Sequence, residues 1–338
     1  MKDLLPEITS WLSARKPFAI ARVIQTWGSS PRPIGSALII NADGEMAGSV
    51  SGGCVEGHVV KEAKGVIASK TGKKLSYGVT DDEAWSVGLT CGGKVQVYLQ
   101  YFDGDEAAVK QMLASLKEDR SGVMVTALKD GTTENSFLTT EGKWHGASLP
   151  ADVEVRAAEA LSRRAHETIE SSGVQYFLQV FPRRSQMLII GAAHITADLV
   201  QLAKWHEFES IVIDPRGAFA DKTRFAVPPD RIHVNYPSEV LNDYPLDNFT
   251  YAVILSHDPK IDDNALQILL KKPLAYIGAL GSRKTHEKRM NRLKEAGFSE
   301  AEIARIESPI GIDINAQGAK EIALAIMGSV VKKKNEFN

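Results

Sequence analysis

The chain has 338 residues, 43% hydrophobic and 24% charged, the proportions of an ordinary globular protein. At roughly 150 residues per domain, that length predicts two domains, each with its own core. Lys plus Arg is 40 and Asp plus Glu is 42, a formal net charge of −2, which excludes a whole-protein field for nucleic acid or another polyanion. The two cysteines, Cys54 and Cys91, exclude a disulfide framework. They also exclude a self-contained iron–sulfur enzyme, because one cluster normally takes four thiolates. The start, Met1-Lys-Asp-Leu-Leu-Pro-Glu7, lacks the basic and apolar regions of a signal peptide, and no apolar run approaches a membrane span. A cytoplasmic protein that meets no membrane is the expectation.

In chain order, strands are predicted over 18–25 and 36–41, with Asp43-Gly44 turning into a third strand over 45–50. A helix over 54–70, a strand over 95–102 and a helix over 106–118 follow, then strands near 143–146 and 175–180. This irregular alternation reads as an α+β domain with a mixed sheet, over 1–181, within which 120–181 is a connecting region without an assignable motif. The short polar run Phe181-Pro-Arg-Arg-Ser-Gln186 lies between two apolar strand-like runs and marks the boundary. From 186 to 338 the reading is a doubly wound parallel sheet, an α/β architecture. Its strands are 187–190, 211–214, 232–234, 251–255 and 275–278, and its helices 195–206, 260–270, 283–296 and 318–331.

Three loops of the first domain offer chemistry. Trp27-Gly-Ser-Ser-Pro-Arg-Pro-Ile-Gly35 presents Ser29, Ser30 and Arg32 on a rigid turn. Ser49-Val-Ser-Gly-Gly-Cys-Val-Glu56 carries Ser51, Gly52, Gly53, Cys54 and Glu56 into a helix N-terminus, a position that favours a thiolate. Leu89-Thr-Cys-Gly-Gly93 holds Cys91 beside Gly92 and Gly93. Glycines there let a backbone approach a ligand closely. In the second domain, Gly191-Ala-Ala-His-Ile-Thr196 stands where a dinucleotide fingerprint would, with Asp214 at the end of the next strand for ribose and Arg216 beside it. Ala193 replaces the glycine that meets pyrophosphate. Ser256-His-Asp258 and Gly278-Ala-Leu-Gly-Ser-Arg-Lys284 follow two later strands. The latter suits an anion through helix amides, Gly281, Ser282 and Arg283.

These segments resemble the XdhC/CoxI family. Gly28-Ser-Ser-Pro-Arg-Pro-Ile-Gly35, Gly48-Ser-Val-Ser-Gly-Gly-Cys-Val-Glu56 and Leu89-Thr-Cys-Gly-Gly93 resemble its N-terminal domain. Asp214-Pro-Arg216, Ser256-His-Asp258, Tyr276-Ile-Gly-Ala-Leu-Gly-Ser-Arg283 and Pro309-Ile-Gly-Ile-Asp313 resemble its Rossmann-like C-terminal domain. The resemblance implies an accessory protein that binds the molybdenum cofactor, assists its sulfuration and inserts it into an apo-xanthine dehydrogenase or related molybdenum hydroxylase. A sulfur-donor protein and a homodimer are further implied partners. On that reading Arg32 or Arg283 would hold the pterin phosphate, and Cys54 or Cys91 would approach molybdenum. The competing expectation is an NAD(P)-dependent oxidoreductase acting on a small substrate, with His257 or His194 as acid/base. The hydroxylase itself is excluded by the cysteine count.

Overall fold

The computed structural model describes residues 1–30, 32–53, 55–78, 93–217 and 225–336. The chain divides into two compact units, Met1–Arg183 and Arg184–Asn338.

In the first unit, α1 (Leu5–Ser13) leads into β1 (Phe18–Trp27), β2 (Ala37–Asn41) and β3 (Met46–Gly48). Then come α2 (Glu56–Ser69), β4 (Gly72–Tyr77), β5 (Lys94–Tyr101) and α3 (Ala107–Lys117). The five strands form one sheet in the order β3-β2-β1-β5-β4, every pair antiparallel. Residues 120–181 form a second sheet from β6 (Gly122–Ala127), β7 (Asn135–Thr139), β8 (Trp144–Gly146), β9 (Glu167–Ser171) and β10 (Val174–Phe181), with α4 (Ala151–Arg163) between β8 and β9. Its order is β8-β7-β6-β10-β9, again antiparallel throughout. The single mixed sheet expected from the sequence is thus two antiparallel sheets.

Strand periodicity explains the layering. Ala19, Ala21 and Val23 of β1 pack with Val59, Ala63 and Val66 of α2, small residues under a closely seated helix. The alternate residues Phe18 and Ile20 pack with Met124, Phe137 and Phe181 of the second sheet. Val153, Ala157 and Ala160, at helical spacing on α4, cover that sheet's other face. Arg22 falls in the same row as Phe18 and Ile20 and is therefore buried between the sheets, 4% exposed. Its Nη2 donates to Gln100 Oε1 at 2.7 Å and Thr126 Oγ1 at 3.0 Å.

The second unit runs β11 (Gln186–Ile190), α5 (His194–Trp205), β12 (Glu209–Ile213), β13 (Arg231–His233), α6 (Pro237–Leu241), β14 (Thr250–Ile254) and α7 (Pro259–Leu269). It continues with β15 (Tyr276–Ala279), α8 (Arg283–Glu295), α9 (Glu300–Ile303), β16 (Ile306–Glu307) and α10 (Ala319–Asn335). Its six strands are parallel in the order β13-β12-β11-β14-β15-β16, the doubly wound sheet that the alternating pattern predicts. Leu199, Val200 and Ala203 of α5 and Ile326 and Val330 of α10 cover one face. Ile261, Ala265 and Leu269 of α7 and Leu293 of α8 cover the other. The strand order reverses between β11 and β14, where such folds place ligands.

Candidate functional site

Antiparallel register brings the three loops of the first unit to one end of its first sheet. Trp27, the last residue of β1, pairs with Lys94, the first of β5. Gly48, the last of β3, pairs with Leu38 at the start of β2, and Tyr77, the last of β4, pairs with Val95. The described strand ends that bound 28–36, 49–55 and 78–93 therefore stand at the same end of the sheet. The first and third touch: a Cβ added to Gly93 would stand 2.2 Å from the Ser29 carbonyl oxygen and 3.1 Å from that of Trp27. Only glycine allows this approach. Cys54, Cys91 and Gly92 lie outside the described residues.

The 49–53 turn is wrapped around a carboxylate. Glu56 Oε1 accepts from Ser49 Oγ at 2.8 Å, Val50 N at 3.2 Å and Ser51 N at 2.9 Å. Glu56 Oε2 accepts from Gly53 N at 2.9 Å and from Ser51 Oγ. Burial opposes its charge, but the hydrogen bonds from Ser51 and Ser49 outweigh that and lower its pKa to about 2. Glu56 thus faces its own loop, and the backbone donors of Ser51 and Gly53 are already used. Gly53 itself, at φ +119°, has open space where a Cβ would stand.

The first loop is held from below by the second sheet. Gln179 Nε2 donates to the Gly35 carbonyl at 2.9 Å, and Thr168 Oγ1 donates to the Ile24 carbonyl at 2.9 Å. A Cβ on Gly35 would lie 2.5 Å from His166 Nε2. His166 Nδ1 accepts from Val180 N at 3.1 Å, and burial lowers its pKa. Residues 120–181, which carry no motif of their own, supply this support. Arg32 is exposed and makes no ion pair among the described residues. Ser29 is exposed as well, whereas Ser30 Oγ is turned back to the Arg32 carbonyl at 2.8 Å. Two residues that no motif singles out belong to this edge. His58, in the first turn of α2, has Nδ1 2.9 Å from the hydroxyl of Tyr77, and Tyr77 immediately precedes the third loop. Burial raises the Tyr77 pKa, so its hydroxyl stays protonated. The spacing of His58, four residues after Cys54, was the available signal.

In the second unit the fingerprint turn is used internally. Asp214 is fully buried. Its Oδ2 accepts from Ala192 N and Arg216 Nη2, each at 2.7 Å, and its Oδ1 from Arg216 N and Nε, each at 2.9 Å. Burial raises and these bonds lower its pKa, with a net fall. An acid free for ribose hydroxyls is therefore not what this turn presents. Gly191 sits at φ +101°, and a Cβ there would stand 2.5 Å from both Cα and N of Ser256, so β11 and β14 are closed against each other at the strand reversal. Ala193 begins α5 without a side-chain cap, and His194 is exposed. His257 is exposed at φ +61°, while Asp258 caps α7 through Lys260 N at 2.9 Å. Ser282 caps α8 through Thr285 N at 3.2 Å, after Gly281 at φ +147°. Pro309 to Asp313 is anchored by Glu307, whose Oε1 accepts from Tyr276, Ser329 and Gly311 N.

Among the described residues no group of three or more His, Cys, Asp or Glu is placed to hold a metal ion. No helix among them is long and apolar enough to cross a membrane.

Comparison with known proteins agrees with this architecture. The family model described as the XdhC Rossmann domain matches residues 187–330, and that of the XdhC and CoxI family matches residues 11–78. A probable xanthine dehydrogenase subunit from Bacillus subtilis is 24% identical over 326 residues, covering 96% of this chain and 95% of that one. The molybdenum cofactor insertion chaperone PaoD of Escherichia coli is 24% identical over 324 residues, 94% of this chain and 84% of that one. A crystal structure described as a xanthine dehydrogenase from Bacillus halodurans aligns with a TM-score of 0.75 and 26% identity, over 99% of this chain and 96% of that one. With both domains matched in order and relatives aligned along nearly the whole length, the chain belongs to the XdhC/CoxI family.

Proposed function

We propose that the chain is an accessory protein that takes up the molybdenum cofactor at the three-loop edge of its first unit and delivers it to a xanthine dehydrogenase-type hydroxylase. The observation that carries this reading is that the strand ends flanking 28–36, 49–55 and 78–93 stand at one end of the first sheet, while both cysteines of the chain fall within those sequence segments. The kinship with a molybdenum cofactor insertion chaperone supports it. The residues present fit such a cargo. Gly53 leaves bare backbone facing open space, Arg32 is an exposed guanidinium suited to the pterin phosphate, and a cysteine offers the soft donor that a metal–sulfur group prefers. Glu56 contributes indirectly, by holding the turn that precedes Cys54. Assistance in sulfuration, a sulfur-donor partner, a cytoplasmic site of action and a homodimer complete the proposal. A hydride-transferring oxidoreductase is the weaker reading, because Asp214 spends its carboxylate on Ala192 and Arg216.

Purification from a molybdenum-replete host tests the reading. The chain is expected to retain molybdopterin, detected as its fluorescent oxidation product, and Cys54→Ala or Cys91→Ala to lower that retention or the sulfuration of the bound cofactor. Undiminished binding and sulfuration in both variants would remove the cysteines from the site. Absence of any pterin from the wild-type chain, together with reduction of NAD(P) on a small substrate, would replace the whole reading.

A further inference from the structure

The N-terminus of α8 gathers positive charge that its surroundings leave largely unanswered. Arg283 and Lys284 open the helix and Lys288 follows one turn on; all three are exposed and make no ion pair among the described residues. No acidic residue occupies the first turn. Cations there oppose the helix dipole, which favours anions at that end. A fourth cation lies behind them. Arg289, 2% exposed, sends its side chain back along the helix, as helical side chains do. Its Nη2 donates to the Leu280 carbonyl at 3.0 Å and stands 3.4 Å from Asp262 Oδ2. It lies 3.8 Å from where a Cβ on Gly281 would be. Nε and Nη1 of the same guanidinium are buried without a partner among the described residues, an arrangement that costs stability unless something answers the charge. The acids close by are Asp262, already sharing Ser256 Oγ at 2.5 Å, and the exposed Glu287. The opening amides of the helix have no acceptor inside it, and the hydroxyls of Ser282 and Thr285, 3.0 Å apart, flank them.

We propose that the turn formed by Leu280, Gly281, Ser282 and Arg283 binds the phosphate group of a phosphate ester. It does so instead of the turn before α5, which holds pyrophosphate in dinucleotide-binding Rossmann domains. At that α5 turn Ala193 occupies the glycine position, Gly191 is closed on Ser256 and Asp214 is sealed. At α8 the glycine, the first-turn amides of Arg283 and Lys284, which the Ser282 cap does not use, and the cations are together. A dianion with three oxygens answers amides, hydroxyls and guanidinium at once. A nucleoside monophosphate and a phosphorylated pterin share this chemistry.

The proposal does not rest on the cofactor reading, because metal-free phosphate is the probe. Titration of the full-length chain with inorganic phosphate, adenosine 5′-monophosphate and a pterin phosphate, each at constant ionic strength against chloride, is expected to show saturable binding. The stronger of the two esters names the source. In amide NMR spectra the largest shifts are expected at 281–285. The double variant Arg283→Gln/Lys284→Gln, confined to exposed positions, is expected to weaken phosphate about tenfold at a melting temperature no lower than the wild type's, since both cations oppose the helix dipole. Arg289→Lys tests the buried fork without removing its charge and is expected to weaken binding too. Binding no better than chloride's, undiminished binding in the double variant, or shifts centred on 192–196 would overturn the proposal. A chain that retains molybdopterin yet ignores phosphate fails here alone.

Discussion

Replacing Glu56 tests whether the cysteine-bearing loop is preformed. Five hydrogen bonds end on this carboxylate. Three of their donors, Val50 N, Ser51 N and Ser51 Oγ, belong to buried residues, so water cannot fully take Glu56's place. At about 1–3 kcal/mol for each buried donor left unsatisfied, with partial relaxation of the loop, Glu56→Ala should cost about 3 kcal/mol. The acidity gives a second route to a figure of the same size. Holding the carboxyl at about 2 rather than 4.5 corresponds to about 3 kcal/mol of preference for the ionised form, of which roughly 2 kcal/mol survives the water on the loop's outer side. Glu56→Gln keeps the shape but turns an amide NH₂ toward two of the donors, and should cost about 2 kcal/mol.

Urea unfolding followed by tryptophan fluorescence reads the effect in the right place, since four of the five tryptophans precede Arg183. A carboxyl whose folded pKa lies below its unfolded one contributes fully above the unfolded value and loses that contribution as pH falls toward the folded one. The wild type's advantage over Glu56→Gln should therefore be complete at pH 7 and fade between pH 4.5 and about 2. A Gln variant within ~0.5 kcal/mol of wild type at pH 7, or a difference that does not shrink in acid, would refute the account of Glu56 as the loop's internal acceptor.

Arg22→Ala should destabilise the first unit by about 3–5 kcal/mol, because it leaves Gln100, Thr126 and Gln179 without their shared donor; a loss under ~1 kcal/mol in the same urea assay would mean that water replaces the guanidinium at no cost. Gly191→Ala should cost about 2–4 kcal/mol, since its Cβ would stand 2.5 Å from Ser256 backbone at a positive φ; circular dichroism melts of near-wild-type midpoint would contradict the close approach. Asp214→Asn should cost about 2–4 kcal/mol through the orphaned Ala192 N and Arg216, with the wild type's advantage lost as pH falls below the ordinary carboxylate range. Amide hydrogen exchange at 191–196 reads it locally, and unchanged protection there would restore Asp214 as a group held in reserve for a ligand.

The second unit was legible in the sequence because parallel strands buried on both faces leave continuous apolar runs. Met187 to Ile190, Ile211 to Ile213 and Tyr251 to Ile254 all sit in the observed strands. The first unit was harder for the same reason inverted. β4, with Lys73, Lys74 and Ser76 among its six residues, is an edge strand whose polar side chains hide the pattern. β6 is buried throughout, so its Val-Met-Val run carries no alternation to mark it as part of a second sheet. The loops of the site announced themselves through glycines and cysteines, which local chemistry demands. The residues that support them, Gln179, Thr168 and His166, are more than 130 positions away from Gly35 and Ile24 in the chain and have no local signature.

Glu56 and Asp214 share a physical lesson about acids beside glycine turns. Each stands where a ligand-binding carboxylate would be sought, and each is spent on backbone N–H groups of the adjoining turn. A glycine-rich turn exposes several amides that helix or sheet would otherwise pair, and a nearby carboxylate is the cheapest way to satisfy them when the turn must keep its shape without a ligand. An enzyme that holds its cofactor permanently can let the cofactor serve as that acceptor. A protein that must release its cargo needs a loop that stays folded empty, and an internal acceptor supplies it. Among the described residues, the cations at these turns that make no ion pair, and so are left to meet a ligand, are Arg32 in the first unit and Arg283 and Lys284 in the second. Exchange of those three for glutamine should therefore weaken binding without loss of stability, the reverse of what the two acids should show.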